Sequence, residues 1–251
     1  MKRPVLNVLG LLLVTLVLLV ALVPDWRSSL IGRVRGEPLQ DGQPVSFWLG
    51  RLEKHGVEQR REAVSNLGHM LRDTQTSEAV APEVVPALIA VVRRTDDDPD
   101  ARTLAVAALR RSQTPPEELL DLYLEMLRDS SRTVRMECAR ALGDAGIKDE
   151  KVIAALAKRL AEEDFGVSNM AGQALVKLAP ESIPALMEAL GDSDLETRRS
   201  AAKALLKLGP RVLDLLKNAA NDPDNPDRRE IAKFVLERIQ GRNQQPRQPP
   251  G

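Results

Sequence analysis

Few residues of this chain have the types and spacing that chemistry requires. The two histidines, His55 and His69, belong to no His-Glu pair and to no HExxH motif, so they indicate no metal site. A Gly-rich phosphate loop and a GxSxG nucleophile elbow are also missing from the sequence. We therefore predict no catalytic residues, no metal and no cofactor, and a protein that is not an enzyme and has no evident small-molecule substrate.

Two acidic runs could supply oxygen ligands to calcium. Residues 96–100 read DDDPD and residues 221–227 read NDPDNPD. Both runs lack the glycine and the distal glutamate of an EF-hand loop. Acidic turns also recur between helical segments throughout the chain, so we interpret both runs as turns. The single cysteine, Cys138, lies among apolar positions and is interpreted as a small buried side chain rather than a reactive thiol.

The elements that would position any site are helices with small buried side chains. In the stretch 134–146, VRMECARALGDAG, five residues fall within about 100° of one another on a helix. They are Val134, Cys138, Ala141, Leu142 and Ala145. Such a face lets another helix approach closely.

The same pattern recurs along the chain. Each copy ends at an anchor leucine, and the copies are separated by 42, 33, 33, 30 and 31 residues. The anchors are Leu67, Leu109, Leu142, Leu175, Leu205 and Leu236. A second helical run and an acidic turn precede most copies, as in 182–190, SIPALMEAL, followed by Asp192–Asp194. Because neither helix of a pair can bury its apolar stripe alone, the pairs must stack. We predict an all-α fold, an α-solenoid of about six stacked helix pairs.

These residues resemble HEAT repeats, in particular the short HEAT-like repeats of phycobilisome lyase subunits and bacterial scaffold proteins. The segment Ile183–Gly209, IPALMEALGDSDLETRRSAAKALLKLG, carries the resemblance most clearly, and Pro44–Leu52, PVSFWLGRL, is similar to the Trp-bearing helix that opens such arrays. The resemblance covers roughly residues 44–240. It implies the fold strongly and the function only broadly, because this fold serves many partners.

An arginine recurs seven residues before the anchor leucine. The residues at this position are Arg60, Arg102, Arg135, Arg198 and Arg229, with Ser168 in the one copy that departs. The resemblance implies that this arginine binds turn acids and carbonyls between repeats. We therefore predict a structural role for the five arginines and place ligand binding second.

Another set of positions lies opposite the buried face of each second helix. The predicted partner-binding residues among them are Arg61, Thr103, Arg110, Met136, Arg140, Asn169, Gln173, Arg199 and Lys203. In a solenoid they would align along the concave wall, and the charged members are all basic. The whole chain nevertheless balances 36 Lys and Arg against 36 Asp and Glu, which argues against nucleic acid as the main partner.

The N-terminal segment predicts a membrane anchor. Residues 5–23 form an almost uninterrupted apolar run of 19 residues, ~28 Å of helix, which is enough for a hydrocarbon core of about 30 Å. The alternative is a cleaved signal peptide, but no A-x-A site follows. Lys2 and Arg3 favour a cytoplasmic N-terminus and an extracytoplasmic repeat domain, whereas the arginines after the span favour the reverse.

The segments then follow in order. We predict a signal anchor at 1–23, a linker at 24–43, a HEAT-like repeat domain at 44–240 and a disordered tail at 241–251.

Three functional classes remain open at this point. The leading one is a non-enzymatic, membrane-tethered scaffold or adaptor that binds a partner protein along the concave face. The second is a binder of an anionic polymer, such as an acidic polysaccharide or nucleic acid, through the basic positions. The third, suggested only by the lyase resemblance, is a chromophore-lyase or chaperone-like helper.

Overall fold

The computed structural model describes residues 24–54, 56–94 and 98–244. Helices dominate these ranges. The first seven are α1 (Pro24–Arg35), α2 (Val45–Lys54), α3 (Val57–Arg72), α4 (Ser77–Arg93), α5 (Pro99–Arg110), α6 (Pro116–Met126) and α7 (Arg132–Ala145). The other six are α8 (Glu150–Lys158), α9 (Phe165–Lys177), α10 (Ile183–Ala189), α11 (Leu195–Leu208), α12 (Leu213–Ala219) and α13 (Pro226–Gln244). Short 3₁₀ turns at Arg159–Ala161 and Gly209–Val212 adjoin α8 and α12.

Within the described residues, the helices from α2 onward form six pairs of consecutive helices that pack on each other. The chain divides into two compact units at Thr114 and Pro115. The first unit contains the pairs α2/α3 and α4/α5, and the second contains α6/α7, α8/α9, α10/α11 and α12/α13. All six anchor leucines lie on the second helix of a pair. The predicted all-α architecture of stacked helix pairs is therefore confirmed.

In the first unit, α3 packs against α2, α4 and α5. Its core consists of aliphatic side chains from these helices, such as Leu67, Leu88 and Leu109, all of which are buried. Trp48 on α2 is also buried, and its Nε1 donates a hydrogen bond to the Gln40 carbonyl at 3.1 Å. This bond attaches the opening helix to the residues that precede it.

In the second unit, the second helices pack extensively on one another, α7 on α9, α9 on α11 and α11 on α13. Glycine and alanine allow this approach, since a Cβ on Gly143 of α7 would lie 2.8 Å from the Cα of Ala174 on α9. The first helices α8 and α10 contact each other far less. Within this unit the second-helix side is therefore the more closely packed side.

Residues 24–43, for which the sequence predicts a linker, are instead folded. They form α1 and a hairpin of two short antiparallel strands, β1 (Leu39–Gln40) and β2 (Gln43–Pro44). The hairpin turn uses Asp41 and Gly42, both with positive φ. Gly32 on α1 packs so closely on Pro44 that a Cβ there would lie 2.3 Å from the proline Cβ. The glycines and prolines that suggested a flexible tether thus serve tight turns and close packing.

The other end of the chain also differs from the prediction. The tail was expected to begin at residue 241, but α13 continues to Gln244. The remainder of the predicted tail, residues 245–251, lies outside the described residues.

The predicted localisation as a single-pass membrane protein is wrong. Within residues 24–54, 56–94 and 98–244, no helix is both long enough and apolar enough to cross a bilayer. The helix nearest the predicted span, α1, has 12 residues and ends in a turn that contains Arg33 and Arg35. The predicted span, residues 5–23, lies outside the described residues. The predicted extracytoplasmic placement of the repeat domain depended on that anchor and is not retained.

Candidate partner-binding face

The predicted partner-binding residues divide between the two units. Arg61, Thr103 and Arg110 lie on α3 and α5 of the first unit. The other six lie on three second helices of the second unit that pack on one another, with Met136 and Arg140 on α7, Asn169 and Gln173 on α9, and Arg199 and Lys203 on α11. We call this second group, together with the exposed residues beside it, the second-helix face.

In the first unit, two of the predicted residues, Arg61 and Thr103, bind groups of their own unit. Arg61 donates to both carboxylate oxygens of Asp98, at 2.7 and 2.9 Å, and also pairs with Asp100 and Glu58. The hydrogen bonds from Arg61 lower the pKa of Asp98 to about 2. Thr103 donates its hydroxyl hydrogen bond to the Pro99 carbonyl of its own helix, at 2.7 Å. Arg61 is thus neutralised by three carboxylates, so it offers little charge to an anionic ligand.

In the second unit, two of the predicted basic residues are likewise paired. Arg140 lies 3.3 Å from Glu137, which is mostly buried, and Arg199 lies 2.5 Å from Glu196. Both pairs join residues three positions apart on one helix, which is the spacing at which helical side chains meet. Lys203 differs, because its Nζ lies over the ring of Phe165, 4.5 Å from the centroid.

Phe165 and Leu195 were missed by the sequence analysis. Phe165 is 62% exposed and Leu195 is 44% exposed. Each is the first residue of a second helix and directly follows its N-cap aspartate. Asp164, the first of these caps, accepts hydrogen bonds from the Gly166 and Val167 amides at 2.9 and 3.2 Å. The available signal was a large apolar residue at the first helical position, directly after a capping aspartate. This position precedes the buried stripe, which begins at Val167 in α9 and at Thr197 in α11.

Apolar side chains on neighbouring helices extend this face. The Sδ of Met136 on α7 lies so close to α9 that a Cβ on Gly166 would be 3.1 Å from it. Phe234 on α13 is 54% exposed and occupies the position that Lys203 holds one repeat earlier. The guanidinium of Arg238 lies 6.0 Å from its ring centroid. The second-helix face therefore combines exposed aromatic rings, cations above them and the amides of α9.

The recurring arginines bind the turns that precede their helices. Arg135 donates from Nη1 to the carbonyls of Asp129 and Ser130, at 2.8 and 3.0 Å, and from Nη2 to Glu162 in the next repeat, at 3.2 Å. Arg198 repeats this arrangement on its own turn. It donates to the carbonyls of Asp192 and Ser193 and pairs with Asp227 at 3.3 Å.

The remaining copies vary this arrangement. Arg229 donates to the Asp222 carbonyl, Arg60 donates to the Leu52 carbonyl, and Arg102 is buried. Ser168 is buried too and donates to the Phe165 carbonyl. In that repeat Arg159, which the sequence analysis did not single out, binds Glu162 at 2.6 Å. Glu162 therefore links two arginines.

The family comparison agrees with this geometry. HEAT repeats match residues 85–176 and 167–237, which together make up more than half of the chain. The chain belongs to the HEAT-repeat family. The predicted resemblance is thereby confirmed at the level of the family. No curated protein matches the sequence of this HEAT-repeat protein.

Several solved structures are similar in fold to this HEAT-repeat protein. One is an engineered protein, 22% identical with a TM-score of 0.48, matched over 78% of this chain and 96% of its own. Another is the complex of CpcE and CpcF of phycocyanin lyase from Nostoc sp. PCC7120, 18% identical with a TM-score of 0.49, matched over 83% of this chain and 91% of that one. A HEAT-like repeats protein from Thermococcus onnurineus NA1 is 14% identical with a TM-score of 0.43, matched over 78% and 87%.

Among the described residues, no group of three or more His, Cys, Asp and Glu side chains could hold a metal ion. His55 and residues 96–97 of the first acidic run lie outside the described residues. Cys138 is fully buried, and burial raises the pKa of its thiol. A protonated, enclosed thiol is a poor nucleophile.

Proposed function

We propose that this HEAT-repeat protein is a non-enzymatic scaffold that binds a partner protein on the second-helix face of its second unit. HEAT repeats form a scaffold suited to protein binding. We further propose which face binds the partner, which residues contact it, and that the protein catalyses no reaction. The observation that carries it is the exposure of Phe165 beneath Lys203. An aromatic ring with a cation above it can bury both apolar area and a charged group in one contact.

The distribution of aromatic residues supports this choice of face. The chain has only three phenylalanines, and Phe165 and Phe234 are each more than half exposed on second helices of the second unit. Burying such a ring against a partner contributes about 1.5–3 kcal/mol. Aromatic residues, phenylalanine among them, are also enriched in the core of protein interfaces.

The amides of α9 give the same face hydrogen-bonding capacity. Asn169 and Gln173 lie one helical turn apart and are half-buried. Neither side chain makes a hydrogen bond to another residue in the part of the chain that the structure describes. An amide supplies two donors and an acceptor, so the pair can bind the backbone or the polar side chains of a partner.

Photocrosslinking from this face tests the proposal. A photoreactive residue at Gln173 should trap a partner of discrete mass in the cells that produce the protein, and Phe165→Ala should reduce the yield about tenfold. The same probe at Asp121, an exposed residue of the first helix α6, is the control. Phe165→Ala should leave the melting temperature within about 2 °C, because exposed side chains contribute little to stability. Equal trapping from Gln173 and Asp121, or a yield that Phe165→Ala does not change, would contradict the proposal.

The anionic-polymer alternative is less favoured by the charges. Arg61, Arg140 and Arg199 each pair with a carboxylate at 3.3 Å or less. A polymer would have to displace these carboxylates before it could bind the arginines. We expect no retention on immobilised heparin above about 0.15 M salt, where charges farther apart than about 8 Å are screened. Within the described residues, no observation favours the chromophore-lyase or chaperone-like alternative.

A further inference from the structure

A groove lies on the opposite side of the second unit, between the first helices α8 and α10. Its volume is about 730 Å³. The floor is apolar and built mainly from alanine; it comprises Ile153, Ala154, Ala157, Ala161, Pro184, Ala185 and Ala189. The groove arises because the second helices pack closely on one another while α8 and α10 carry side chains too short to fill the space between them.

The rim of the groove carries an excess of negative charge. Four carboxylates and two lysines line it, although the chain as a whole is neutral. Lys148 and Glu181 pair at 3.0 Å, and the hydrogen bond from Lys148 lowers the pKa of Glu181. Glu150 and Glu188 form no ion pair with any residue that the structure describes. Two carboxylates beside an apolar floor therefore lack a cationic partner from the described chain.

We propose that this groove binds an amphipathic α-helix of a partner protein, with an apolar face flanked by lysine or arginine. Alanine walls let a second backbone approach closely, and the wall from Glu150 to Ala161 spans about three helical turns, ~18 Å. An apolar helix face in such a groove is a recurring mode of recognition. The charge complementarity selects basic flanks, which would pair with Glu150 and Glu188.

This surface is separate from the second-helix face, so the two proposals stand or fall independently. Phe165 lies on α9, whereas the groove is formed by α8 and α10. Glu188 also lines a neighbouring hollow of about 510 Å³ between α10 and α12, where Leu215 is 44% exposed. Leu215→Ala therefore reports whether a helix lies in that hollow instead.

The test uses the full chain and an 18-residue synthetic helix with a leucine and alanine face flanked by lysines. Its binding is measured by fluorescence anisotropy, beside an otherwise identical peptide with glutamate in place of lysine. We expect the lysine peptide to bind at least about tenfold more tightly. Glu188→Lys and Ala157→Phe should each weaken it about tenfold, by reversing a rim charge and by filling the floor. Glu163→Lys changes charge equally outside the groove and should alter binding less than about twofold, as should Phe165→Ala and Leu215→Ala.

Three results would overturn the proposal. The first is equal binding of the two peptides or no binding at about 1 mM. The second is equal weakening by Glu188→Lys and Glu163→Lys, which would indicate general charge attraction. The third is a concentration-dependent dimer, detected by sedimentation, that Ala157→Phe abolishes, because a second copy of the chain would then occupy the groove. Circular dichroism of each variant establishes that the helices remain folded.

Discussion

The guanidinium of Arg61 binds both carboxylate oxygens of Asp98, across 37 residues of sequence. The same carboxylate caps α5, because its Oδ2 accepts a hydrogen bond from the Ala101 amide at 2.9 Å. One aspartate thus fastens α3 to the beginning of α5 and satisfies an otherwise unpaired amide of the first turn. Arg61, which was predicted to bind a partner, therefore holds two helices of its own unit together.

This arrangement makes the first unit sensitive to acid. The pKa of Asp98 falls from 3.8 to about 2 on folding, so the ionised carboxylate stabilises the folded state fully above pH 3.8. That stabilisation is lost as the pH falls through about 2. Asp98→Asn should reduce the free energy of unfolding by about 1 kcal/mol at pH 7, a modest value because solvent screens part of the pair. Urea unfolding at pH 7 and pH 2 should show the difference disappearing at the lower pH. A deficit that persists unchanged at pH 2 would contradict this assignment.

Arg135 should contribute measurably to stability. Its removal leaves the carbonyls of Asp129 and Ser130 and the carboxylate of Glu162 without their cationic donor. Arg135→Ala should therefore lower the free energy of unfolding by about 1–3 kcal/mol in urea titrations. Arg132→Ala is the matched control, since Arg132 is 73% exposed and pairs only with Asp164 among the described residues. Equal effects of the two substitutions would argue against the structural role.

The packing of α7 on α9 should tolerate no added methyl group at Gly143. A Cβ there would lie 2.8 Å from both the Cα and the Cβ of Ala174, closer than carbon atoms can approach. Gly143→Ala should lower the thermal midpoint by several degrees, consistent with overpacking costs of about 1–3 kcal/mol. Gly50→Ala on α2 meets nothing within 4 Å and should be neutral or stabilising by up to about 1 kcal/mol. If Gly143→Ala raised the midpoint as Gly50→Ala is expected to, the close approach of the two helices would be refuted.

The thiol of Cys138 should be inert in the native protein. The side chain is fully buried, and burial raises the pKa of the thiol, so little thiolate is exposed to a reagent. Labelling with iodoacetamide at pH 8 should be roughly 10³-fold or more slower than in 6 M guanidinium chloride, since reaction requires opening of the core. Rapid native labelling would show that α7 is not enclosed as the structure has it.

The repeats were predictable because their signal is repeated. Each anchor leucine, such as Leu142 or Leu205, ends a run of alanine-sized side chains at helical spacing, and six such runs reinforce one another. The hairpin that follows α1 gave no comparable signal. Its strands have two residues each, too few for an alternating pattern, so the turn dipeptide Asp41-Gly42 had no flanking strand pattern to support it.

The side-chain partners of the predicted partner-binding residues were only partly predictable. Arg140 and Glu137, like Arg199 and Glu196, are three residues apart, so their pairing follows from helix geometry. The partner of Arg61 follows from no local rule, because Asp98 belongs to the next repeat. Lys203 lies over Phe165 because α9 and α11 are neighbours, a relation that spacing within one helix does not contain.

The close contact of Gly143 with Ala174 on one side and the open groove between α8 and α10 on the other have one cause. The second helices pack more closely than the first helices do. A change in the volume of a single side chain between the second helices would tilt the neighbouring pairs and alter the width of the groove behind them. The width of the groove therefore depends on side chains that do not line it. The small side chains of the second helices therefore affect both the second-helix face and the groove.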